Sequence, residues 1–328
     1  MKVFLTGGTG FVGASVLREL LAGGAAARAL ARPNGDRRNL EGLSFELVEG
    51  DLDDPALLTR AMEGCEWVFH VAARYSLLRR DRAEIYRANV DGTRHILQAA
   101  RAAGVKRIVH TSSVAAIGVP SEGGVADETF QATADELVSD YKKSKFLAEQ
   151  LARDAAREGL PVVIVNPSTP IGPYDVKPTP TGDIVLRFLQ RRMPAYVDTG
   201  MNLIYVRDVA VGHIRAAEKG RVGERYILGH RNMTLKEILD LLASITGLPA
   251  PTRRLPRWLP IAVGVVDELF ISRLTGKPPT VALDSARMAA RPMYYDATRA
   301  VTYLGLPQTP IETALREAVD WFREHGYA

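Results

Sequence analysis

The 328 residues read as an α/β chain: a doubly wound parallel sheet followed by a smaller, mixed α+β lobe. Three observations carry that reading. Short apolar runs rich in Val, Ile and Phe alternate with amphipathic stretches up to residue 167, the texture of strands and crossover helices in a parallel sheet. The first run leads straight into a glycine loop, Thr6-Gly-Gly-Thr-Gly-Phe-Val-Gly13. Beyond residue 167 the alternation breaks on a passage crowded with Pro167, Pro170, Pro173, Pro178 and Pro180, which opposes regular structure.

Lys2-Val-Phe-Leu-Thr6 predicts a buried strand. Glycines at 7, 10 and 13 follow. Val12, Val16, Leu17, Leu20 and Leu21 then line one face of a helix that stops at Gly23-Gly24. Strand, glycine loop and helix form the setting for a dinucleotide pyrophosphate. Gly7 suits the tight turn, Gly10 lets backbone approach the phosphates, and Gly13 lets helix and strand pack closely. The helix N-terminus adds free N–H groups and a partial positive charge. Thr6, Gly7, Gly10, Phe11, Val12 and Gly13 are therefore candidate cofactor contacts. The spacing is G-x-x-G-x-x-G rather than G-x-G-x-x-G.

A second strand, Arg28–Arg32, ends in Arg32 with Asp36, Arg37 and Arg38 behind it. An acid at this strand end would hold a ribose 2′-hydroxyl, whereas an arginine is the natural partner of a 2′-phosphate. The expected cofactor is NADP(H) in preference to NAD(H), against the plainer reading of a solvated basic loop. Ser44–Glu49 predicts a third strand. Asp51, followed by Leu52, stands at its carboxyl end, placed to reach an adenine, because Asp53, Asp54 and Pro55 already supply the next helix with its cap and first turn. Trp67–Val71 predicts a fourth strand ending in Ala72-Ala73, small enough for a ribose to lie close. His70, inside that run, reads as a core histidine rather than a catalyst.

Helices are expected over 56–62, 91–103 and 141–158, and strands over 106–111 and 161–165. The later half predicts a helix over 182–191, a strand over 202–206, and helices over 207–219, 234–246 and 311–325. The 234–246 helix opens with Thr234 and Glu237 in capping-box spacing. The expected division is a dinucleotide domain over 1–167, to which segments near 203–230 return, and a substrate lobe over 168–328. The apolar Trp258–Ile271 stretch reads as a buried helix before a pocket wall or a membrane contact. Arg253, Arg254 and Arg257 before it would meet an anionic substrate or water.

A net charge of +4 with scattered arginines gives no nucleic-acid footprint. The single Cys65 rules out an internal disulfide and a cysteine-rich metal site, consistent with a reducing compartment. No metal-ligand spacing occurs. The glycine loop begins too early to leave room for a signal peptide, and no apolar stretch is long enough to span a bilayer. A cytoplasmic location is expected, with membrane association and a homodimer left open.

The chemistry sits in two further segments. His110-Thr-Ser-Ser113 ends the fifth strand, and Tyr141-Lys-Lys-Ser-Lys145 opens a helix that sets Tyr141 and Lys145 one turn apart on one face. Reduction of a carbonyl develops an alkoxide that needs a proton donor. A free phenol titrates near pH ~10, and a neighbouring ammonium brings that value down. A serine hydroxyl would hold the reacting oxygen in line.

Together, the glycine loop, Asp51-Leu52, Val71-Ala-Ala73, Thr111-Ser-Ser113, Tyr141-x-x-x-Lys145 and Leu203-Ile-Tyr-Val-Arg-Asp-Val209 resemble the extended short-chain dehydrogenase/reductase family, over essentially the whole chain. The nearest branch is dihydroflavonol-reductase-like, with a likeness to bacterial hopanoid-associated sugar epimerases. The resemblance implies a Rossmann-type fold and three catalytic roles: Ser113 as the catalytic serine, Tyr141 as acid/base, and Lys145 also on the nicotinamide ribose. It further implies Arg32 and Arg38 as the basic pair at the 2′-phosphate, Asn89 beside the cofactor, and Pro167-Ser168 along the nicotinamide. Thr169 departs from the asparagine common in nucleotide-sugar epimerases. The implied activity is a reductase of a carbonyl/alcohol pair, its substrate small and sugar-like or lipophilic. The alternatives are an epimerase that retains its cofactor, or a non-catalytic cofactor sensor.

Overall fold

The computed structural model describes residues 1–76, 78–120, 123–132, 137, 139–256, 258–259 and 291–328. Up to residue 167 the chain runs β1 (Lys2–Thr6), α1 (Phe11–Ala22), β2 (Ala26–Ala31), β3 (Glu46–Glu49), α2 (Pro55–Met62), β4 (Trp67–His70), α3 (Arg82–Tyr86), α4 (Gly92–Ala102), β5 (Arg107–Thr111), β6 (Val125–Ala126), α5 (Asp140–Arg157) and β7 (Val162–Pro167). It continues through β8 (Thr169–Ile171), α6 (Pro180–Leu189), β9 (Tyr196–Val197), β10 (Gly200–Tyr205), α7 (Val206–Lys219), β11 (Arg225–Leu228) and β12 (Arg231–Thr234). The described elements end with α8 (Leu235–Thr246), β13 (Arg254–Leu255), β14 (Tyr294–Tyr295), α9 (Thr298–Leu304) and α10 (Ile311–Glu324).

Seven parallel strands form the central sheet in the order β11-β7-β5-β4-β1-β2-β3. The chain steps outward from β1 in one direction and then restarts at β4 in the other. The crevice between the carboxyl ends of β1 and β4 is thus a topological switch point, where such sheets bind ligands.

The strands are continuous apolar runs because both faces are covered. Side chains alternate across the sheet. Val3, Leu5, Val109, Val163 and Val165 join one core with Leu17, Leu20, Val209 and Leu304, under α1, α7 and α9. Phe4, Val68, Ile108, Val162 and Ile164 join the other with Leu58, Met62, Ile96 and Ala152, under α2, α4 and α5. A third core gathers Val185, Phe188, Leu203, Leu239, Leu242, Leu315 and Phe322 from α6, β10, α8 and α10. Phe11, the first residue of α1, inserts into that third core, so the glycine loop is fastened to the later half of the chain.

Several boundaries differ from the sequence reading. The third strand spans only Glu46–Glu49. The helix expected from residue 91 is preceded by α3 and a π-helical stretch, Arg87–Asp91. The charged run over 82–87 hides this beginning, since Ile85 is the buried residue of α3. The strand Arg225–Leu228 was not expected. Of the 203–230 segment, β11 pairs with β7 and α7 packs on α1, whereas β10 pairs with β8 and β12 in a separate three-stranded sheet. Two small parallel pairs, β9 with β13 and β6 with β14, complete the described strands. Apart from exposed Trp258 and neighbouring Leu259, the Trp258–Ile271 stretch lies outside the described residues, as does Arg257. No helix among the described residues is long and apolar enough to cross a membrane.

Candidate active site

A cleft of about 520 Å³ opens along the carboxyl edge of the sheet. Its floor at one end is the glycine loop. Gly7 adopts φ +81°, and the Gly10 N–H donates to the Gly7 carbonyl at 2.9 Å to close the turn. A side chain at Gly7 would bring Cβ to 2.5 Å from the Ala72 nitrogen. One at Gly13 would lie 2.5 Å from the Gly7 carbonyl carbon and closer still to its oxygen. Gly10 is different: its added Cβ would meet only the Gly7 oxygen, at 3.4 Å, and the residue lines the cleft. Gly10 is also the N-cap of α1 and offers no side-chain cap, which leaves the first-turn N–H groups without an intrahelical partner. A loop with no room behind it and bare backbone in front fits a dinucleotide pyrophosphate.

Thr6 ends β1 behind this loop. Its hydroxyl pairs with His70 Nδ1 at 2.8 Å and accepts from the Ala72 N–H at 3.2 Å. His70 Nε2 pairs with Thr93 Oγ1 at 3.0 Å. Burial, reinforced by the positive Lys145, depresses the His70 imidazole to about 3. A neutral, doubly bonded ring under the loop is a core histidine.

At the outer end of the cleft, Arg32 follows β2 directly, and Asp51 and Leu52 follow β3; all three line the wall. Arg32 is exposed and has no ion-pair partner among the described residues. Asp51 accepts the Leu52 N–H at 2.7 Å, which orients its carboxylate. Arg38 stands outside the wall, ion-paired with Asp36 at 2.8 Å and donating to the Tyr327 hydroxyl at 3.4 Å. Ala72 and Ala73 line the middle of the cleft. Asn89 lies behind it, 2% exposed. Its side-chain oxygen accepts the Arg74 N–H at 2.7 Å, and its nitrogen donates to the Arg74 carbonyl at 3.0 Å and to Ser144 Oγ at 2.9 Å. Asn89 therefore pins the loop that forms the wall rather than forming it.

The inner end carries Ser113, Tyr141 and Lys145. Ser139 caps α5, its hydroxyl accepting the Lys142 N–H at 3.2 Å, and so sets which face of the helix meets the sheet. Ser113 and Tyr141 line the same wall, and the Ser113 hydroxyl is near enough to the phenol to favour its ionised form. Lys145, 3% exposed, donates from Nζ to the Thr111 carbonyl at 2.7 Å. Burial pulls the ammonium down to about 8, and the carboxylate of Glu149 opposes that shift. The phenol departs from expectation: burial raises it above its ordinary value, and the opposing influence is the Ser113 hydroxyl. Lys145 is committed to a backbone carbonyl, and desolvation outweighs whatever lowering its charge supplies.

Ser168 lines the cleft with a buried hydroxyl that has no hydrogen-bond partner among the described residues; Pro167 closes β7 just outside the wall. An unpaired buried hydroxyl beside the reactive end fits the amide of a nicotinamide. Sequence reasoning missed Tyr75, whose ring meets Tyr141 edge-on at 4.7 Å, Tyr295, which reaches the cleft through the β6–β14 pairing, and Met293, which is bridged to Met201 on β10. Thr179 to Thr181, at the start of α6, also line the cleft; a Thr cap followed by Pro180 is a readable helix start. Among the described residues no three His, Cys, Asp or Glu side chains are grouped to hold a metal ion.

A family model described as "NAD dependent epimerase/dehydratase family" matches residues 3–229. The chain belongs to that family. Its members include the extended short-chain dehydrogenases and reductases that the motifs resemble, and the chain is an enzyme of this NAD(P)-dependent kind. It is 54% identical to the "Putative dihydroflavonol 4-reductase" of Synechocystis sp., over 99% of this chain and 95% of that protein. It is 36% identical to "Sterol demethylase protein B" of Methylococcus capsulatus, over 99% of each. The crystal structure of gox2253 superposes with a TM-score of 0.88 at 42% identity, over 99% of this chain and 98% of that one. The family's fold is the seven-stranded parallel sheet with helices on both faces described above.

Proposed function

We propose that this family member is an NADP(H)-dependent reductase that interconverts an apolar ketone and its secondary alcohol. The observation that carries the reading is the shared cleft: Ser113 and Tyr141 line the same wall as the glycine loop, with Lys145 one turn along α5. Arg32, free to meet a 2′-phosphate, favours NADP(H) over NAD(H). Apart from Asp51 the cleft carries no acidic side chain, and its lining includes Tyr75, Val114, Pro170, Met293 and Tyr295, which suits an apolar molecule. Thr169 also lines the cleft, at a position where nucleotide-sugar epimerases commonly carry asparagine. The names of the two relatives, a reductase and a sterol demethylase protein, support the same substrate class.

The glycine loop, Arg32, Asp51, Lys145 and Ser168 would hold the cofactor, whose nicotinamide, when bound, supplies or accepts the hydride. The side chains do the rest. Ser113 positions the carbonyl oxygen at the Tyr141 hydroxyl, and Tyr141 gives that oxygen its proton as the alcohol forms. Lys145, protonated below about pH 8, stabilises the phenolate left behind. Tyr75, packed on Tyr141, excludes water from one side of the phenol.

The test is isotopic. With NADPH deuterated at C4 and a panel of apolar cyclic ketones, the reductase reading expects NADPH consumption and one deuterium on the product carbinol carbon. Substrate inversion without net NADPH consumption would instead establish a retained-cofactor epimerase. Absence of label transfer to every ketone would refute the reductase reading, and a failure to invert the matching alcohols as well would refute both.

A further inference from the structure

Tyr141, Lys145 and Glu149 stand at i, i+4 and i+8 on α5, one face of the helix. Each meets one residue of the strand end opposite. Tyr141 shares the cleft wall with Ser113, Lys145 Nζ donates to the Thr111 carbonyl at 2.7 Å, and Glu149 Oε2 accepts the Ser112 hydroxyl at 2.6 Å. The helix thus faces three consecutive residues, the last of β5 and the two that follow it.

Glu149 is the deepest of the three, 1% exposed. Its Oε2 also accepts from Asn166 Nδ2 at 2.7 Å, and the same nitrogen donates to the Ser113 carbonyl at 3.0 Å. Oε1 takes Arg225 Nη1 at 2.9 Å and faces Arg153 Nε at 3.4 Å. Arg225, on β11, is itself 5% exposed and donates to the carbonyls of Glu128 and Phe130. A buried carboxylate with this many donors is fixed in place, and through Asn166 and Ser112 it fixes Ser113 on both sides.

We propose that Glu149 is a positioning residue of the reaction: it sets Ser113 against Tyr141 and keeps a negative charge beside the buried Lys145 ammonium. The inference rests on the reductase reading and adds a residue that touches neither substrate nor cofactor. The charged or titratable groups facing Lys145 are Glu149 and Tyr141 on its own helix, His70 on β4 and His110 on β5. Burial holds both histidines neutral, so Glu149 is the one carboxylate among them. Removing its charge lowers the pH at which Lys145 loses its proton.

The experiment compares wild type, Tyr141→Phe, Glu149→Gln, Glu149→Asp and Ser112→Ala. Glu149→Gln is expected to lower kcat at least tenfold with KM within threefold, and to move the alkaline limb of the kcat profile down by about one pH unit. Glu149→Asp keeps the charge and is expected to restore the limb, though not all of kcat. A nitrogen NMR titration of Lys145 Nζ without cofactor should show the same downward shift in Glu149→Gln. A Glu149→Gln protein with lower Tm and kcat but an unmoved limb would reduce Glu149 to a fold-stabilising role and overturn the proposal. Should Glu149→Gln not fold, Ser112→Ala carries the test: a several-fold kcat loss at unchanged Tm supports the proposal, and wild-type kcat overturns it. Turnover retained by Tyr141→Phe would refute the reductase reading instead, and the Lys145 titration would still decide the role of Glu149.

Discussion

Alanine at Gly13 and alanine at Gly10 differ by one methyl at two positions of the same loop, and the structure separates their consequences. At Gly13 the new Cβ would lie 2.5 Å from the Gly7 carbonyl carbon and closer to its oxygen, about an ångström or more inside van der Waals contact. Both are backbone atoms, so relief requires α1 to slide away from β1. Overpacking of this kind costs about 1–3 kcal/mol, roughly 1.5–4.5 °C in Tm for a chain of this size. The slide also carries the first-turn N–H groups off the pyrophosphate, so NADPH affinity should fall at least about tenfold, near 1.4 kcal/mol. At Gly10 the added Cβ meets only the Gly7 oxygen at 3.4 Å, and φ −89°, ψ 169° is open to alanine. Tm should therefore hold to within about 1 °C, while the methyl stands in the cleft where backbone must approach phosphate, and affinity falls about tenfold or more. Thermal unfolding without cofactor and a fluorescence titration with NADPH measure the two quantities. Wild-type affinity in Gly10→Ala would refute the phosphate-loop assignment, and an unchanged Tm in Gly13→Ala would refute the packing argument.

Arg32→Ala should weaken NADPH binding about tenfold or more and leave NADH within about threefold, since only the 2′-phosphate loses its bidentate partner; equal losses would contradict the cofactor preference. The pH dependence follows from Lys145. Its folded value of about 8 lies below the ordinary 10.5, so the ammonium is present below pH 8 and lost above it. The reduction rate kcat should be level up to about pH 7.5 and then fall about tenfold per unit above about pH 8. A rate that rises through pH 8 would show that Lys145 acts in its neutral form.

What was legible in the sequence is what periodicity encodes locally. The glycine loop, β1 and α1 follow from one short segment, and the shared face of Tyr141 and Lys145 follows from helical spacing alone. Glu149 continues that spacing and was readable in the same way, but its importance depends on Arg225, and β11 is a four-residue strand too short for its alternation to declare it, although Gly223 and Gly229 bracket it. The cleft's Tyr75 comes from a loop without period, Tyr295 arrives through a two-residue parallel pair linking segments about 170 positions apart, and Met293 through a single bridge to Met201. The lowered phenol expected from a neighbouring lysine is a matter of desolvation, which depends on packing that no sequence motif records.

The central claim is that Tyr141 supplies the proton while the rest of the cleft only binds and orients. The most direct measurement is kcat for ketone reduction by Tyr141→Phe beside wild type, with the NADPH Kd of each protein determined on the same samples. The account predicts a fall in kcat of at least about a hundredfold with Kd within threefold, because the ring stays against Tyr75 and only its hydroxyl is removed. A Tyr141→Phe enzyme that reduces the ketone at the wild-type rate would contradict it.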